Sequence, residues 1–563
     1  MAMPTAMRWR DIVREIYADD PDAASAHALL EEVMRPHLSS RPATSLWDEH
    51  DAWMITYPDQ FRSVRGRPLE TLRRFHETHL APTINGIHVL PFFPWSSDDG
   101  YSILDYEAVD ERHGTWADIE ALGERTRLMV DAVINHMSAR SEWFQGFLGG
   151  VPEYGAFFRT ADPAADVSQV TRPRESPLLT EFPSAGGVKT VWTTFSADQV
   201  DLDYRNPRVL ARIIDVILGY AARGARVVRL DAVCFVWKEE GTTSIHLRET
   251  HLIVQLIRAI LEATYPGTVL VTETNVPESE NLSYFGDGGT PEAHAVYQFA
   301  LPPLVLHSFL TGDASALKRW AATATPVVPE TTFLNFLASH DGVGLRPAEG
   351  LLEATDVRRL ITAAEAGGGR IGRRVDRGGT AIPYELNATW FDLMNDAAGE
   401  DATLARHLAS HAIMFALRGI PAVYVHSLFA GRNDIEAMVR TGAGRAVNRR
   451  KFEDADALAM RLADDSSLEA RCWNGLAEML EWRRSSRAFH PDAAQSIPSM
   501  PPNVIGIERR HADGTRAQVY VNVSDRTVDL AVPLGEQTVH GTAARTGANG
   551  IGLGPWGTAW VLD

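Results

Sequence analysis

Several features that define common protein classes are scarce in this chain. Only two cysteines, Cys234 and Cys472, occur among its 563 residues. Two cysteines are too few for a disulfide framework, and these two have no metal-ligand spacing. No apolar stretch approaches the roughly 20 residues that span a bilayer, and the sequence contains neither an internal repeat nor a low-complexity tract. A disulfide-rich secreted scaffold, a cysteine-bound metal site and a membrane-spanning protein are therefore not expected.

Positive charge is also in short supply. The chain has 54 lysines and arginines against 73 aspartates and glutamates, which gives a formal net charge of -19. This balance argues against nucleic acid or an anionic membrane surface as a partner, although local arginines can still bind a small anion. The first ten residues become polar too soon to hold the apolar core of a signal peptide. We therefore expect a cytoplasmic protein with small-molecule partners, and its oligomeric state, monomer or homodimer, stays open.

Three carboxylates stand where apolar, β-rich runs end. Asp231 and Glu273 each end such a run directly, and Asp341 ends a short Ser-His-Asp triplet. The apolar runs are predicted to be buried strands. In a (β/α)8 barrel, the residues just past the carboxyl ends of the strands point into the active site. The sequence therefore predicts that these three side chains share one pocket.

Retaining transfer at an α-glucosidic bond would explain why three acids are needed. It uses a carboxylate nucleophile and a protonated carboxylic acid roughly 5 Å apart, and Asp231 suits the first role and Glu273 the second. Arg229, two residues before Asp231, shares its face of the strand and can keep it ionised. Asp341 would bind sugar hydroxyls and stabilise the oxocarbenium-like transition state. A strand-end aspartate can instead cap a helix, but three acids beside one arginine favour catalysis.

A fourth segment supports the same interpretation. An apolar run that begins at Arg127 ends in Asn135 and His136, a polar pair that could meet a hexose. Together the four segments resemble the signature regions of the α-amylase clan, glycoside hydrolase family thirteen, over nearly the whole chain. Further motifs resemble its sucrose phosphorylase subfamily, namely His88–Pro94, Ser97–Tyr101, Arg172–Arg174, Gln199–Asp203, Leu301–Pro303 and Gly431–Asp434. The resemblance implies a retaining phosphorylase of α-glucosides, a glycosyltransferase-type enzyme, without cofactor or metal.

The resemblance also implies a glucose pocket. Asp98 and Arg445 would hold the far hydroxyls of the glucosyl ring, and His136 would bind its near side. Tyr101 and Phe195 would form apolar walls that suit the CH faces of a sugar and exclude water, although ordinary core packing would explain either ring alone. The remaining predicted contacts to the glucosyl unit are Gln199, Arg229 and His340.

Phosphate and the acceptor need cations away from the nucleophile. Arg174 is the first candidate, because a guanidinium pairs bidentately with phosphate oxygens, and Tyr384 is expected beside it. A glycine-bearing loop, Gly369–Gly379, adds clustered arginines that could bind an anionic acceptor, namely Arg370, Arg373, Arg374 and Arg377. The alternative is a solvated loop whose arginines pair with acids such as Asp376.

Two acceptors fit an arginine-rich loop within this subfamily. Because extra arginines favour a dianion, we expect conversion of sucrose 6-phosphate, with its phosphate on the fructosyl C6, and phosphate to α-D-glucose 1-phosphate and fructose 6-phosphate. The alternative is a glucosylglycerate phosphorylase, which the stretch Thr272–Asn281, the motif Pro383–Asn387 and the N-terminal helices resemble more closely. The next alternatives are a glucosylglycerol phosphorylase and a sucrose phosphorylase. Ile382 argues against plain sucrose, because sucrose phosphorylases carry an acidic residue at this position. A hydrolase or transglucosidase, or a non-catalytic barrel, remain as other classes.

The expected architecture is a (β/α)8 barrel with inserted small domains and a C-terminal antiparallel β domain. Asn135 matches a calcium ligand of many amylases, but we expect it to support its loop by hydrogen bonding. The predicted boundaries are a helical extension at 1–45, barrel parts at 46–136, 196–341 and 405–495, an inserted domain after strand 3 at 137–195, an insertion between strands 7 and 8 at 342–404, and the β domain at 496–563.

Overall fold

The computed structural model describes most of the chain. Arg377 and the connection at residues 19–22 lie outside the described part. Among the helices that the structure describes, none is long and apolar enough to cross a membrane. The described residues are 5–18, 23–38, 44–162, 164–287, 289–326, 328–376, 379–395, 397–532, 537–547 and 550–563.

Two helices precede the barrel, α1 (Thr5–Ile16) and α2 (Ala23–Met34). Apolar side chains of α1, including Ile12, Val13 and Ile16, are buried at the spacing of one helix face. Arg10 donates to Glu31 at 2.7 Å and links the two helices. The sequence predicted a helical extension here, and these helices lie within its expected range.

The first barrel strands have a long insertion after them. Strands and helices alternate through β1 (Trp53–Thr56), α3 (Pro68–Phe75), β2 (Gly86–Val89), α4 (Trp116–Gly123) and β3 (Arg127–Val133). The insertion contains β4 (His136–Ser138), α5 (Glu142–Gly149), β5 (Leu179–Ser184), β6 (Gly187–Trp192) and β7 (Gln199–Asp201). Strands β4 and β7 pair with each other, as do β5 and β6, so the excursion returns to the strand end where it began.

The middle of the chain supplies four more barrel strands. They occur in the series α6 (Pro207–Ala222), β8 (Ala225–Asp231), α7 (Arg248–Thr264), β9 (Val269–Thr272), α8 (Glu278–Leu282), β10 (Ala295–Tyr297), α9 (Leu301–Thr311), α10 (Ser315–Ala321) and β11 (Thr332–Asn335). These short strands are almost wholly buried. Burial on both faces is the reason that they are continuous apolar runs rather than alternating ones.

A second insertion separates β11 from the last barrel strand. It contains β12 (Val343–Gly344), α11 (Ala354–Ala366), β13 (Arg370–Val375), β14 (Ala381–Asn387) and α12 (Trp390–Leu393), and the chain returns through α13 (Glu400–Ala416) to β15 (Ile420–Tyr424). Strands β12, β14 and β13 form an antiparallel sheet in that order. The prediction of a loop at Gly369–Gly379 is therefore wrong for Arg370–Val375, because these residues form a strand with backbone partners in β14.

The eight parallel strands close into a barrel. Their order around it is β1-β15-β11-β10-β9-β8-β3-β2, so β8, β9 and β11 are the fourth, fifth and seventh barrel strands in chain order. All eight carboxyl ends therefore lie at one rim. The prediction of a (β/α)8 barrel with a C-terminal β domain is confirmed.

The remaining helices cover the barrel and lead to the final sheet. They are α14 (Val425–Leu428), α15 (Ile435–Thr441), α16 (Ala455–Leu462) and α17 (Leu468–Arg484). The sheet contains β16 (Ala494–Ser496), β17 (Val504–Arg510), β18 (Arg516–Asn522), β19 (Val528–Leu530), β20 (Thr538–Gly547) and β21 (Gly550–Leu562), and its pairings are antiparallel.

Candidate active site

A buried arginine organises the end of the fourth barrel strand. Arg229 on β8 donates from Nη1 to Asp231 Oδ1 at 2.8 Å, and the same nitrogen contacts Asp131 on the neighbouring strand β3. Strand register places Asp131 directly opposite Arg229. His88 Nε2 lies 2.7 Å from the other oxygen of Asp131. Although burial acts to raise it, Arg229 and His88 lower the pKa of Asp131 to about 2, so this carboxylate is a fixed negative charge.

Glu273 lies beside Asp231 at the end of β9. Its Oε2 accepts a hydrogen bond at 3.1 Å from the backbone N–H of Ala232. Ala232 has a φ of 50°, in the left-handed region, which is uncommon for a residue other than glycine. Arg229 Nη2 is 3.8 Å from the same oxygen of Glu273. One guanidinium therefore faces both carboxylates.

Burial sets the proton affinity of this pair. It raises the pKa of Asp231 well above its usual range, with Arg229 acting against the shift and the charge of Glu273 adding to it. Burial also raises the pKa of Glu273, again opposed by Arg229 and reinforced by Asp341. Arg229 bonds to Asp231 as expected, but it does not outweigh burial. Two carboxyl groups so close in a buried site favour sharing one proton over losing both.

Asp341 has a different environment. Its Oδ1 is 2.5 Å from Arg445 Nη1 and 3.7 Å from Arg449 Nη2. Arg445 also donates two hydrogen bonds of 2.9 Å to the buried carboxylate of Glu385 on β14. Although burial acts in the opposite direction, the guanidinium groups of Arg445 and Arg449 hold the pKa of Asp341 well below its usual range. Asp341 is therefore a permanent anion.

Aromatic rings and polar groups surround the space between these acids. The rings of Tyr101 and His340 stack with centroids 5.0 Å apart, and burial lowers the pKa of His340 well below its usual value, so this imidazole is neutral. Phe195 lies 5.1 Å from the ring of His136. Gln199 Nε2 is 3.1 Å from His136 Nε2 and donates to Asp98 Oδ2 at 3.4 Å. The surface combines apolar faces with hydrogen-bonding edges, as sugar binding requires.

A cavity at the carboxyl end of the barrel joins these groups. It encloses about 760 Å³ of empty space, part of which is open to solvent. Arg229 contacts two of its lining carboxylates, Asp231 and Glu273, but with a side chain that is 2% exposed it is not part of the lining itself. The predicted residues that line this cavity are Asp98, Tyr101, His136, Arg174, Phe195, Gln199, Asp231, Glu273, His340, Asp341, Arg374, Tyr384 and Arg445.

The predicted acceptor arginines are divided between two cavities. Arg374 and Arg174 line the cavity that holds the acids, and Tyr384 is buried beside them. Arg370 and Arg373 are exposed and line an adjoining outer cavity instead. A bulge between Gly372 and Arg373 shifts the register of β13 against β14, and this irregularity is invisible in a sequence pattern. Arg377 lies outside the described residues.

Four charged residues of this site were missed by sequence reasoning. Asp131 and Glu385 provide the buried carboxylates for Arg229 and Arg445, Arg449 contacts Asp341 and donates to Asp99, and Arg346 lines the cavity. Asp131 carried a signal, because a charge inside an apolar strand is seldom buried without a partner. The other three lie in segments without a periodic pattern, so only the folded chain reveals them.

A lysine is hydrogen-bonded to Asn135, the residue that matches a calcium ligand of many amylases. Lys238 Nζ donates to Asn135 Oδ1 and to the backbone carbonyl of Phe235, each at 2.8 Å, and lies 3.6 Å from Asp201 Oδ2. Burial lowers the pKa of Lys238, and Asp201 opposes the shift. Among the described residues, no group of three or more His, Cys, Asp or Glu side chains could hold a metal ion. Asn135 thus supports the Lys238 segment by hydrogen bonding.

Comparisons with known proteins identify the family. The model of the α-amylase catalytic domain matches residues 82–345. A glucosylglycerate phosphorylase of Escherichia coli (strain K12) is 43% identical over 521 residues, which cover 92% of each chain. This chain belongs to the α-amylase family. A sucrose 6(F)-phosphate phosphorylase of Thermoanaerobacterium thermosaccharolyticum is 28% identical and covers 78% of this chain and 88% of its own.

Solved structures share the fold of this chain. The crystal structure of a sucrose 6F-phosphate phosphorylase from Thermoanaerobacter thermosaccharolyticum superposes with a TM-score of 0.73 and 24% identity, covering 86% of this chain and 95% of that chain. At this identity the likeness concerns the fold. Both of these relatives are glycoside phosphorylases, and the chain is an enzyme of that class.

Proposed function

We propose that this protein is a glucosylglycerate phosphorylase, which converts an α-glucoside of glycerate and inorganic phosphate into α-D-glucose 1-phosphate and glycerate. The observation that carries the proposal is 43% identity to such an enzyme along 92% of both chains. The sucrose 6(F)-phosphate phosphorylase is only 28% identical. The partly buried arginines on the acceptor side of the cavity, Arg346 and Arg374, provide the charge that an anionic acceptor needs.

The proposed first step forms a glucosyl ester. Asp231 attacks the anomeric carbon, and the bond to the glycerate oxygen breaks while Glu273 donates its proton to that oxygen. Arg229 supports these roles, since it donates to Asp231 at 2.8 Å but is 3.8 Å from Glu273. The single negative charge of the pair is therefore better stabilised on Asp231, and the proton stays on Glu273. Asp341, a permanent anion, stabilises the positive charge that develops on the sugar.

The proposed second step transfers the glucosyl group to phosphate. A phosphate oxygen attacks the anomeric carbon, the ester bond to Asp231 breaks, and α-D-glucose 1-phosphate forms with retention after two inversions. Phosphate is already an anionic nucleophile, so Glu273 matters less here than in the first step. Arg174 is the proposed phosphate ligand, with its guanidinium 5.8 Å from the ring of Phe195. Phosphate and sugar phosphates are retained inside cells, which is why we propose a cytoplasmic location.

The preference for sucrose 6-phosphate drawn from the sequence has less support. It depended on four clustered arginines acting together on a dianion. In the structure Arg370 and Arg373 are exposed on the outer cavity, and Arg374 alone of the described three lines the cavity with the acids. A single-carboxylate acceptor fits this arrangement better than a distant phosphate does.

The direct test is release of α-glucose 1-phosphate by purified protein in phosphate buffer. Glucosylglycerate, sucrose 6-phosphate, glucosylglycerol and sucrose would be compared in parallel at equal concentration. We expect the highest kcat/KM for glucosylglycerate. A higher value for sucrose 6-phosphate would overturn the proposed acceptor, and sugar release in phosphate-free buffer at an equal rate would make the protein a hydrolase.

A further inference from the structure

Two arginines from separate segments meet on one side of the cavity that holds the acids. Arg346 begins a single helical turn just after β12, and Arg374 lies on β13. Their side chains are only 16% and 18% exposed. The sheet in which β14 pairs with both β12 and β13 brings the two segments together. Both arginines line the cavity that contains Asp231 and Glu273.

Neither guanidinium is well paired. Arg346 is 3.9 Å from Glu280 and 4.0 Å from Glu349, and Arg374 is 3.8 Å from Glu349. These distances exceed a hydrogen bond, and Glu349 is itself 54% exposed. Among the described residues, the buried Nε atoms of both arginines find no hydrogen-bond partner. Buried polar groups normally have one, and each unmade bond is destabilising.

The two charges also act on each other. Burial, followed by the charge of Arg346, lowers the pKa of Arg374. Both groups remain cations at neutral pH, because arginine is not deprotonated in proteins. Two adjacent cations have unused N–H donors and lie beyond hydrogen-bond distance of the exposed carboxylates of Glu280 and Glu349. They form a site that an anion would complete.

The position of this pair relative to Glu273 points to the leaving group. Cys234, Glu273 and Arg346 line the same cavity. Thr274 and Asn275, which follow Glu273 directly, also line this wall. The acid must reach the glycosidic oxygen. In a glycerate glucoside the carboxylate lies within two carbon–carbon bonds of that oxygen, so a cation near Glu273 can reach it.

We propose that Arg346 and Arg374 bind the carboxylate of the acceptor and determine specificity for it. This inference rests on the proposed function and assigns to two residues the recognition that the function requires. In the direction of synthesis, the same pair receives free glycerate and turns one of its hydroxyls towards the glucosyl ester. Phosphate uses a different cation, Arg174, so loss of either arginine leaves phosphate attack intact.

The test separates glycerate binding from the rest of the reaction. Arg346→Gln and Arg374→Gln would be compared with Arg358→Gln, a matched control on the exposed surface of α11. Three rates would be measured with α-glucose 1-phosphate as donor, using glycerate, uncharged glycerol and arsenate as acceptors. Charge-assisted hydrogen bonds imply an increase of about tenfold or more in the KM for glycerate in either variant. Rates with glycerol and arsenate should stay within about twofold of the wild type, as should every rate of Arg358→Gln.

Two further variants test the same pair from opposite directions. Arg346→Lys keeps the charge but loses the fork, and we expect it to recover part of the affinity for glycerate. Glu349→Gln removes the competing carboxylate, so the KM for glycerate should fall by about twofold, as expected for the loss of a weak, exposed ion pair.

Each unfavourable result has a distinct meaning. If the wild type does not use glycerate, the proposed function fails, and the role of the arginines fails with it. If the wild type uses glycerate and the Gln variants keep its KM, only the arginine assignment is wrong. If arsenolysis falls as much as glycerate use, the arginines bind phosphate or support the fold, and the assignment is again overturned.

Discussion

Two arginines of equal exposure show how the two sides of the cavity differ. Arg445, on the proposed glucosyl side, and Arg374, on the proposed acceptor side, are each 18% exposed. Arg445 donates twice to Glu385 at 2.9 Å and lies 2.5 Å from Asp341. Arg374 is 3.8 Å from an exposed carboxylate. Equal side-chain exposure therefore accompanies full pairing on one side and unused donors on the other.

This difference has a functional meaning. On the glucosyl side, charges that already hold one another need no rearrangement when positive charge develops on the sugar, which is the condition for electrostatic stabilisation of a transition state. On the acceptor side, unused donors can bind an anion that arrives and leaves in every cycle. We thus assign catalysis to the charges that are fully paired and acceptor choice to the arginines with unused donors.

On the paired side, loss of the nucleophile should lower the reaction rates more than any other substitution considered. Asp231→Asn is expected to lower both phosphorolysis and synthesis by roughly 10⁴- to 10⁶-fold, since the proposed ester forms on this carboxylate. Because burial and Glu273 raise the pKa of Asp231, removal of its charge should leave the Tm unchanged or higher. Initial rates and thermal unfolding of a repurified variant would check this, and substantial residual turnover would contradict the assignment.

Loss of the acid should lower the rate by a smaller factor, and this factor should depend on the glucosyl donor. Glu273→Gln is expected to lower kcat/KM for glucosylglycerate by roughly 10²- to 10⁴-fold. With α-glucosyl fluoride, whose leaving group needs no protonation, the loss should nearly vanish. Phosphate-dependent formation of glucose 1-phosphate from both donors is the measurement. Equal losses with both would argue against Glu273 as the proton donor.

Substitution of Arg445 should lower the stability of the protein more than substitution of Arg374. Arg445→Gln leaves the buried Glu385 and the partly buried Asp341 without their main cation, and loss of one partner of a buried pair is destabilising by roughly 3–5 kcal/mol. Arg374→Gln removes a weakly paired charge beside Arg346 and should change stability by less than about 0.5 kcal/mol. Thermal unfolding of both variants, measured side by side, would check the contrast. Equal decreases in Tm would break it.

The smallest expected effect is in the pH profile. Burial raises the pKa of Glu273 above its ordinary value of 4.5, so the acid keeps its proton to higher pH and activity declines only as it ionises. The basic limb of kcat/KM for glucosylglycerate should therefore lie above pH 4.5. That limb should be absent for Glu273→Gln acting on α-glucosyl fluoride. A limb that persists in this variant would belong to another group.

Much of the barrel and of the catalytic centre could be predicted from the sequence, because their signals are local. Apolar runs such as the one before Asp231 are buried on both faces, and a carboxylate at the end of each run falls at the common rim of the barrel. The strand at Arg370–Val375 could not be predicted, because glycines and arginines hide its alternation and the partner strand provides its hydrogen bonds. The bulge next to Arg373 was equally hidden, and it decides which arginines face the acids.

The sequence by itself determined the order of strands and the three acids at their ends, since burial and strand direction are written in short apolar runs. Only the tertiary structure decided which charges meet. Arg229 and Asp131 are 98 positions apart, and Arg445 and Glu385 are 60 apart. Arg346 and Arg374 meet only through the pairing of β12, β14 and β13. Electrostatic contacts depend on distance in space, and residue patterns along the chain record only neighbours within a turn or a strand.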